Sequence, residues 1–403
     1  MNVGYHKGMI HFKDPVISFL NVFHEHNHEA FVVGGCVRDA LIGKESIDID
    51  VTTSASIDDI QHLFEANIIS KDGIEYQSLT IEYHNQLFQV TSFRHDSEYE
   101  HHRFPKTRRV ISFQDDVWRR DFTMNGLYWN EQKGLIDLVG GIEDIHHKLI
   151  RTIQDPSLRF QEDALRLLRA FRFSTQLGFD IEENTYNACL QHKELILSLS
   201  KERVTQEVMK ALNGDYIQEK YTELRSYLLD VFKLEGYYAQ FDLSLVTHPL
   251  VRWLLMFKPK KHSLFDAMNH FSFTNKQKEL LIMMDEHAYL TLQDDKILIK
   301  TLLKRISMDA FGALCQLHYA LGNLNQESFN AIINTVQDIH LNEEAYTLAH
   351  LKIKGDVCVK KKMSYTQIAS FLQSCLDLVI VHPELNTPDY LSMKCDEWII
   401  EHQ

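Results

Sequence analysis

Two aspartates separated by one residue alternate with three branched apolar residues near position 50. Ile47, Ile49 and Val51 occupy every second position. Asp48 and Asp50 occupy the positions between them. This period of two predicts a β-strand with one apolar face and one face that carries both carboxylates. Because adjacent like charges are costly without a cation between them, the strand predicts either a metal site or an exposed sheet edge.

Carboxylates are hard oxygen ligands, and Mg2+ is usually held by one or two of them together with substrate phosphates. We therefore expect Asp48 and Asp50 to bind Mg2+. Gly34 and Gly35 precede them, between a predicted strand and a predicted short helix. Glycine lets the backbone approach a phosphate closely, and a helix N-terminus presents unpaired N–H groups. The double glycine followed by Arg38 therefore predicts a phosphate site, although two glycines alone indicate only a turn.

A second cluster consists of Arg119, Arg120, Asp121 and Asn125. If the segment is helical, Asp121 and Asn125 share a face, which suits a ribose hydroxyl or a metal-bound water. Adjacent arginines would then point to different sides, so that one reaches a triphosphate while the other braces the fold. The alternative is a surface charge cluster that caps a helix.

A third cluster lies on an amphipathic helix predicted over 161–177, which carries Asp163, Arg166, Arg169 and Arg172. Asp163 and Arg166 are three residues apart and would share a face, either as a surface ion pair or as a base-reading pair. A carboxylate accepts from an exocyclic amine, and a guanidinium donates to the neighbouring ring acceptor. Such a pair would select cytosine and adenine against uracil and guanine. The arginine patch indicates a solvated face or a phosphate site.

The character of the chain changes near residue 150. Before that point strand and helix signals alternate, with a hairpin predicted over 78–93 and a flexible loop over 94–105. After it, helical periodicity continues almost to the end of the 403 residues. The chain therefore predicts an α+β head followed by an all-helical remainder.

The formal net charge of −14 argues against a protein that coats nucleic acid non-specifically, but it allows local basic patches. Six cysteines without paired spacing are typical of a reducing compartment and predict no disulfide or zinc framework. No stretch has the pattern of a signal peptide or a membrane span. We expect a cytoplasmic protein that does not enter a membrane.

In order and spacing, these motifs resemble those of the class II tRNA nucleotidyltransferases of bacteria, the CCA-adding enzymes of the polymerase-β-like superfamily. The likeness is clear over about residues 30 to 210 and faint beyond. The matching residues are Gly34, Gly35, Val37, Arg38 and Asp39, then Asp48 and Asp50, then Arg119–Thr123 and Asn125, then Asp137, Gly140, Gly141, Ile150 and Arg151, then Glu162, Asp163 and Arg166, and then Glu202, Arg203, Val204 and Glu207.

The resemblance implies a sea-horse-shaped protein. Its head, at 1–150, would contain a small mixed β-sheet. The all-α neck, body and tail would follow at 151–212, 213–315 and 316–403. It implies addition of CCA to the tRNA 3′ end from CTP and ATP, with release of pyrophosphate. Mg2+ would lie at Asp48 and Asp50, and the bound nucleotide would contact the other motif residues. These are Gly35, Arg38, Arg120, Asp121, Asn125, Asp163, Arg166, Arg169 and Arg172.

The chain departs from the family's pattern in places, and at one of them Gln89 stands where a third carboxylate is usual. An amide carries no charge, so a second metal would be held less firmly. A CC-adding or A-adding enzyme, a poly(A) polymerase and an inactive RNA-binding relative remain alternatives. The oligomeric state is open between a monomer and a homodimer.

Overall fold

The structure is a computed structural model that describes residues 4–6, 8, 10–71, 77–100, 104–110, 112–234, 241–257 and 264–401. The chain forms two compact units. The first comprises Met1–Leu234 with Asn269–Ser272, and the second comprises Glu235–Met268 with Phe273–Gln403. The division into four domains stays a prediction.

The first unit is an α+β structure, and it contains the strands that the structure describes. These are β1 Gly4–His6, β2 Ala30–Val33, β3 Ile49–Thr53, β4 Ile68–Ser70, β5 Ser78–Tyr83, β6 Gln86–Ser92, β7 Arg94–Glu100, β8 Phe104–Arg109, β9 Leu127–Asn130, β10 Gly134–Asp137, β11 Leu149–Ile150 and β12 Asp180–Ile181. Its helices are α1 Val16–Glu25, α2 Gly35–Leu41, α3 Ile57–Phe64, α4 Phe113–Asp116, α5 Gly141–His146, α6 Pro156–Glu162, α7 Leu165–Leu177, α8 Glu183–Gln191, α9 Lys201–Leu212 and α10 Ile217–Val231.

The main sheet has the strand order β1-β10-β9-β2-β3-β6-β5-β4. The β3–β6 pair is parallel and the other pairs are antiparallel, which confirms the predicted mixed sheet. Strand β2 is buried on both faces. Ala30 and Val32 pack into one core, and Phe31 and Val33 pack into the other. A strand covered on both sides holds its ends rigidly, and the cleft described below begins at the end of β2.

The predicted hairpin over 78–93 is confirmed as β5 and β6. Its turn lacks glycine, but His84 and Asn85 adopt φ of 48° and 61°, the paired left-handed conformation of a tight hairpin turn. Asparagine tolerates this region better than most residues.

The prediction of a flexible loop over 94–105 is wrong for the described residues. Strands β7 and β8 pair there as an antiparallel hairpin. A polar, aperiodic sequence gave no strand signal because neither strand belongs to the main sheet, where burial would impose alternation.

The described residues of the second unit form helices joined by turns and irregular segments, with no strand among them, as the sequence predicts. Its helices are α11 Pro249–Phe257, α12 Leu264–Met268, α13 Asn275–His287, α14 Lys296–Leu303, α15 Met308–Ala320, α16 Gln326–Leu341, α17 Gly355–Lys360, α18 Tyr365–Val381 and α19 Pro388–Glu401. Among the helices that the structure describes, none combines the length and apolar character that a membrane span requires.

Candidate active site

The double glycine forms the turn between β2 and α2. Gly34 has φ 76° and ψ −138°, a conformation that is essentially restricted to glycine. A Cβ atom at this position would stand 3.5 Å from Asp50 Oδ2 and 3.7 Å from Arg120 Nη1. The turn therefore runs between the acidic strand and an arginine, where bare backbone leaves room for a ligand.

The acidic strand differs from the prediction at its start. Strand β3 begins at Ile49, so Asp48 lies in a bend just before it, and Ile47 is 85% exposed rather than part of the apolar face. Asp48 is exposed and Asp50 is half-buried. Burial raises the pKa of Asp50, and the charge of Asp48 raises it further, against the lowering effect of Arg120. A bound cation would offset both of the raising effects.

Gln89 lies opposite Asp50 in the parallel β3–β6 register and is exposed. Gln89 therefore lies beside the aspartates, at the position where the sequence comparison places the usual third carboxylate. The donor set at this edge is two carboxylates and one amide oxygen, which are hard oxygen ligands and suit Mg2+. The described residues hold no cluster of three or more His, Cys, Asp or Glu residues that could bind a metal.

Arg38 and Asn125 are joined across the cleft. Arg38 Nη1 donates to Asn125 Oδ1 at 2.7 Å, while its Nε and Nη2 both donate to Asp39. Ser46 in turn donates to the second oxygen of Asp39 at 3.0 Å. The guanidinium is thus held by partners on both sides and cannot change rotamer without losing several charge-assisted bonds.

The segment that contains Arg119 and Arg120 is not the predicted helix. A 3₁₀ turn ends at Arg119, and Arg120 is extended with φ −70° and ψ 158°. Both arginines bind the same buried carboxylate, because Arg119 Nε donates to Asp116 Oδ1 at 2.7 Å and Arg120 Nη2 donates to Oδ2 at 3.0 Å. They do not point to different sides.

Asp116 is a residue that sequence reasoning missed. Its side chain is fully buried and also accepts from Tyr128 Oη at 2.8 Å. Burial alone would raise the pKa of Asp116, but the charges of Arg119 and Arg120 lower it to about 2. The available signal was an aspartate three and four residues before two arginines, a spacing that short helical turns bring together.

Asp121 and Asn125 are in contact as predicted, although Asn125 lies in a 3₁₀ turn and not in the predicted helix. Asn125 Nδ2 donates to Asp121 Oδ1 at 3.1 Å, and Arg169 Nε donates to Asp121 Oδ2 at 2.7 Å. Burial opposes ionisation of Asp121, but the Arg169 guanidinium and the hydrogen bonds hold the pKa of that carboxyl well below its usual range. The pair is therefore fixed in place and carries a negative charge, and its role in binding a hydroxyl group stays a prediction.

The continuous helix predicted over 161–177 is wrong at Asp163. This residue has φ −137° and ψ 101° and separates α6 from α7, so it does not share a helical face with Arg166. Its Oδ1 accepts from Leu165 N at 3.1 Å, which competes with helix continuation. Arg203 Nη2 lies 3.7 Å from the same carboxylate.

Arg166 is buried and serves the backbone as well as the cleft. Its Nη1 donates to Arg159 O at 3.1 Å and to Glu162 at 3.0 Å, and its Nη2 donates to Arg119 O at 2.8 Å. Three of its five donors are used in these bonds, so two are left for another acceptor. Its role as a base reader stays a prediction.

Arg172 lies on α7 and pairs with Glu207 of α9, with 3.0 Å between Nη1 and Oε2. Burial and the charge of Arg169 lower the pKa of Arg172 to about 10, against the opposite effect of Glu207. The pair links two helices beside the cleft.

A single cleft of about 790 Å³ brings the predicted residues together. It is lined by all eleven of them, namely Gly35, Arg38, Asp48, Asp50, Arg120, Asp121, Asn125, Asp163, Arg166, Arg169 and Arg172. The further lining residues are Gly34, Gln89, Arg94, Arg119, Phe173, Arg203 and Lys210. Nine of these side chains are cationic and four are acidic, a balance that favours a polyanionic ligand.

Residues 30–151 match the poly A polymerase head domain family, and residues 178–232 match the probable RNA and SrmB-binding site of polymerase A. The chain is 38% identical over 223 residues to a CCA-adding enzyme of Staphylococcus saprophyticus, with 55% of each chain covered. It is 42% identical over 203 residues to a CCA-adding enzyme of Bacillus pumilus, with 50% of each covered. The matched part spans about half the length of these relatives.

Solved structures resemble the whole chain. The CCA-adding enzyme of Bacillus stearothermophilus in complex with CTP has a TM-score of 0.76 at 22% identity, over 97% of this chain and 99% of that one. The CCA-adding enzyme of Thermotoga maritima complexed with tRNA has a TM-score of 0.64 at 20% identity, over 97% of both. At such identities the likeness shows the fold.

Residues 30–151, which hold the acidic strand and most of the mixed sheet, are therefore similar to a poly A polymerase head domain. Over about half of its length the chain is similar to bacterial CCA-adding enzymes, and over nearly the whole chain it shares their fold.

Proposed function

We propose that this chain adds C, C and A to the 3′ end of tRNA by nucleotidyl transfer from CTP and ATP, with release of pyrophosphate. The observation that carries the proposal is the single cleft, which unites an acidic strand, a cationic wall and one carboxylate suited to an exocyclic amine. These substrates place the activity in the cytoplasm.

The acidic strand would hold Mg2+ through Asp48 and Asp50. When bound, the metal would supply charge neutralisation at the phosphates and ease ionisation of the attacking 3′ hydroxyl. The Gly34 turn lets the triphosphate approach the backbone closely. Gly34 itself adds no side chain to the space between Asp50 and Arg120.

The cationic wall would bind the triphosphate in a fixed orientation. Arg120 is held by Asp116 and Tyr128, and Arg38 by Asp39 and Asn125. Donors fixed in this way stabilise developing negative charge without reorganising during the reaction. Catalysis would then consist mainly of positioning the attacking hydroxyl and neutralising phosphate charge.

The remaining groups would hold the nucleoside. Asp121 and Asn125 form a polar pair for the ribose, and Asp163 would accept from the amine of cytosine or adenine. Asp163 Oδ1 is already used by Leu165 N, so the Oδ2 atom is the one proposed to meet the base. Uracil and guanine present a carbonyl at the corresponding position and would leave two acceptors facing each other.

The test is to incubate the protein and Mg2+ with a tRNA that ends at its discriminator base, supplying CTP and ATP singly and together. Three added nucleotides with both substrates and two with CTP alone are expected. Two nucleotides under both conditions would indicate a CC-adding enzyme, one A added only to a tRNA that already ends in CC would indicate an A-adding enzyme, and a long A tract would indicate a poly(A) polymerase. No product with intact tRNA binding would indicate an inactive relative.

A further inference from the structure

Phe173 lies on α7 at the edge of the cleft, and three guanidinium groups surround its ring. The guanidinium carbons of Arg38, Arg169 and Arg172 lie 5.2, 5.2 and 4.3 Å from the ring centroid. The side chain is 6% exposed, and Phe122 meets it edge-on at 5.8 Å between centroids. The three arginines come from two helices, α2 and α7, so the ring is a feature they share.

Each of the three arginines also has a carboxylate of its own. Arg38 pairs with Asp39, and Arg172 pairs with Glu207. Arg169 pairs with Asp121. These acids anchor each guanidinium separately, and the Phe173 ring is the neighbour that all three cations share.

Like charges gathered at one point repel, and this repulsion lowers the pKa of Arg172. After burial, the charge of Arg169 is the largest influence that lowers its pKa to about 10, and Arg38 acts in the same direction. An aromatic face attracts guanidinium groups through its quadrupole, and arginine stacks on it readily because it is weakly hydrated. A shared ring therefore opposes the repulsion that would otherwise spread the arginines apart.

We propose that Phe173 is a positioning residue that gathers three arginines into one wall for the triphosphate of the incoming nucleotide. The proposal rests on the proposed function, because that triphosphate is its ligand. Replacement of the ring by an aliphatic side chain keeps the apolar contact with Phe122 but removes the attraction that orders the cations. Polyphosphate binding should then weaken, while nucleobase selection and the acidic strand are unaffected.

The test uses the full chain and two readouts. In titration calorimetry with inorganic tripolyphosphate, Phe173→Leu should raise Kd about 10-fold, whereas Phe173→Tyr should stay within about 2-fold of the original protein. In nucleotide addition, Phe173→Leu should raise KM for CTP and for ATP by the same factor with kcat little changed. Phe173→Met supplies a second aliphatic variant in case leucine leaves too large a cavity.

Phe171 provides a matched control. It lies two residues earlier on α7, is 1% exposed and stacks on Tyr227 with 4.1 Å between ring centroids. It is not among the described residues that line the cleft. Phe171→Leu should lower the melting temperature at least as much as Phe173→Leu but leave tripolyphosphate binding unchanged. Equal loss of binding in the Phe171 variant, or unchanged binding in both aliphatic Phe173 variants, would overturn the proposal. Calorimetry needs no turnover, so failure of the CCA-adding activity would be seen separately.

Discussion

The two walls of the cleft hold their charges in different ways. On the acidic strand, Asp48 is exposed and Asp50 has a raised pKa, beside the uncharged Gln89. On the opposite wall, Asp116 is buried and Asp121 is half-buried, each is paired with arginine, and both have lowered pKa values. The cationic wall is thus made rigid by the protein itself, whereas the charge of the acidic strand is best stabilised by a bound cation.

This difference separates two kinds of substitution. A change on the acidic strand should remove chemistry with little cost in stability, because few protein contacts depend on those carboxylates. A change in the acids behind the arginines should lower stability and substrate affinity together, because each of them holds charged groups out of water.

The largest effect is expected for Asp50→Ala. Loss of a metal-binding carboxylate should reduce the rate of CMP addition by on the order of 1,000-fold, while tRNA binding is retained. Addition assays and a gel-shift titration measure the two quantities. Asp58→Ala, at an exposed position in the first turn of α3, removes the same charge away from the cleft. This variant should leave the rate of CMP addition unchanged. Normal turnover of the Asp50 variant would exclude the metal assignment.

Asp163→Ala should relax the choice of CTP and ATP over UTP and GTP by roughly 100-fold, because one hydrogen bond to the amine is lost. The ratio of kcat/KM values for the four nucleotides measures it. The variant also loses the hydrogen bond that Asp163 accepts from Leu165 N at the start of α7, so Asp155→Ala, which removes the N-cap hydrogen bond of α6, is the matched control. Undiminished discrimination in the Asp163 variant would refute the base-reading role.

Asp116→Asn should lower the free energy of unfolding at pH 7 by about 2 kcal/mol, since the charge that holds two arginines is removed. The charges of Arg119 and Arg120 hold the folded-state pKa of Asp116 at about 2, below the ordinary range of an aspartate. Its contribution is therefore present above pH 4 and is lost as the pH falls towards 2. Denaturant titrations across this range should show a shallower pH dependence in the variant, with Asp58→Asn as control. An unchanged slope would mean that Asp116 does not stabilise the fold through its charge.

Gln89→Glu is expected to have the smallest effect. A carboxylate beside Asp50 should lower the Mg2+ concentration needed for half-maximal addition by roughly 3-fold. Gln132→Glu, in the exposed turn between β9 and β10, adds the same charge away from the strand. If the Mg2+ dependence of the Gln89 variant matches that of the control, position 89 is not a ligand.

Periodicity predicted the elements whose faces differ in burial. The β5–β6 hairpin and the helical character of the second unit were readable because one side of each packs into a core. Strand β2 was readable as a short apolar run, since both of its faces are buried. The β7–β8 hairpin was missed because it lies outside the main sheet and carries no alternation.

Local patterns failed where side chains compete with the backbone. The carboxylate of Asp163 accepts from Leu165 N and interrupts a helix that the apolar spacing predicts as continuous. In the same way, Arg120 is extended because Asp116 and Tyr128 bind its guanidinium, whereas helical spacing would have turned it away from Arg119.

Order and spacing of motifs were sufficient to name eleven of the residues that line the cleft, since those residues lie in short segments of sequence, but they did not name Arg94, Phe173 or Lys210. Tertiary structure decided the charge partners that lie far apart in the sequence. The contacts of Arg38 with Asn125, of Asp121 with Arg169 and of Arg172 with Glu207 join residues 35 or more positions apart. Pairing over such distances depends on how strands and helices pack, and that packing is set by the whole core rather than by any local pattern.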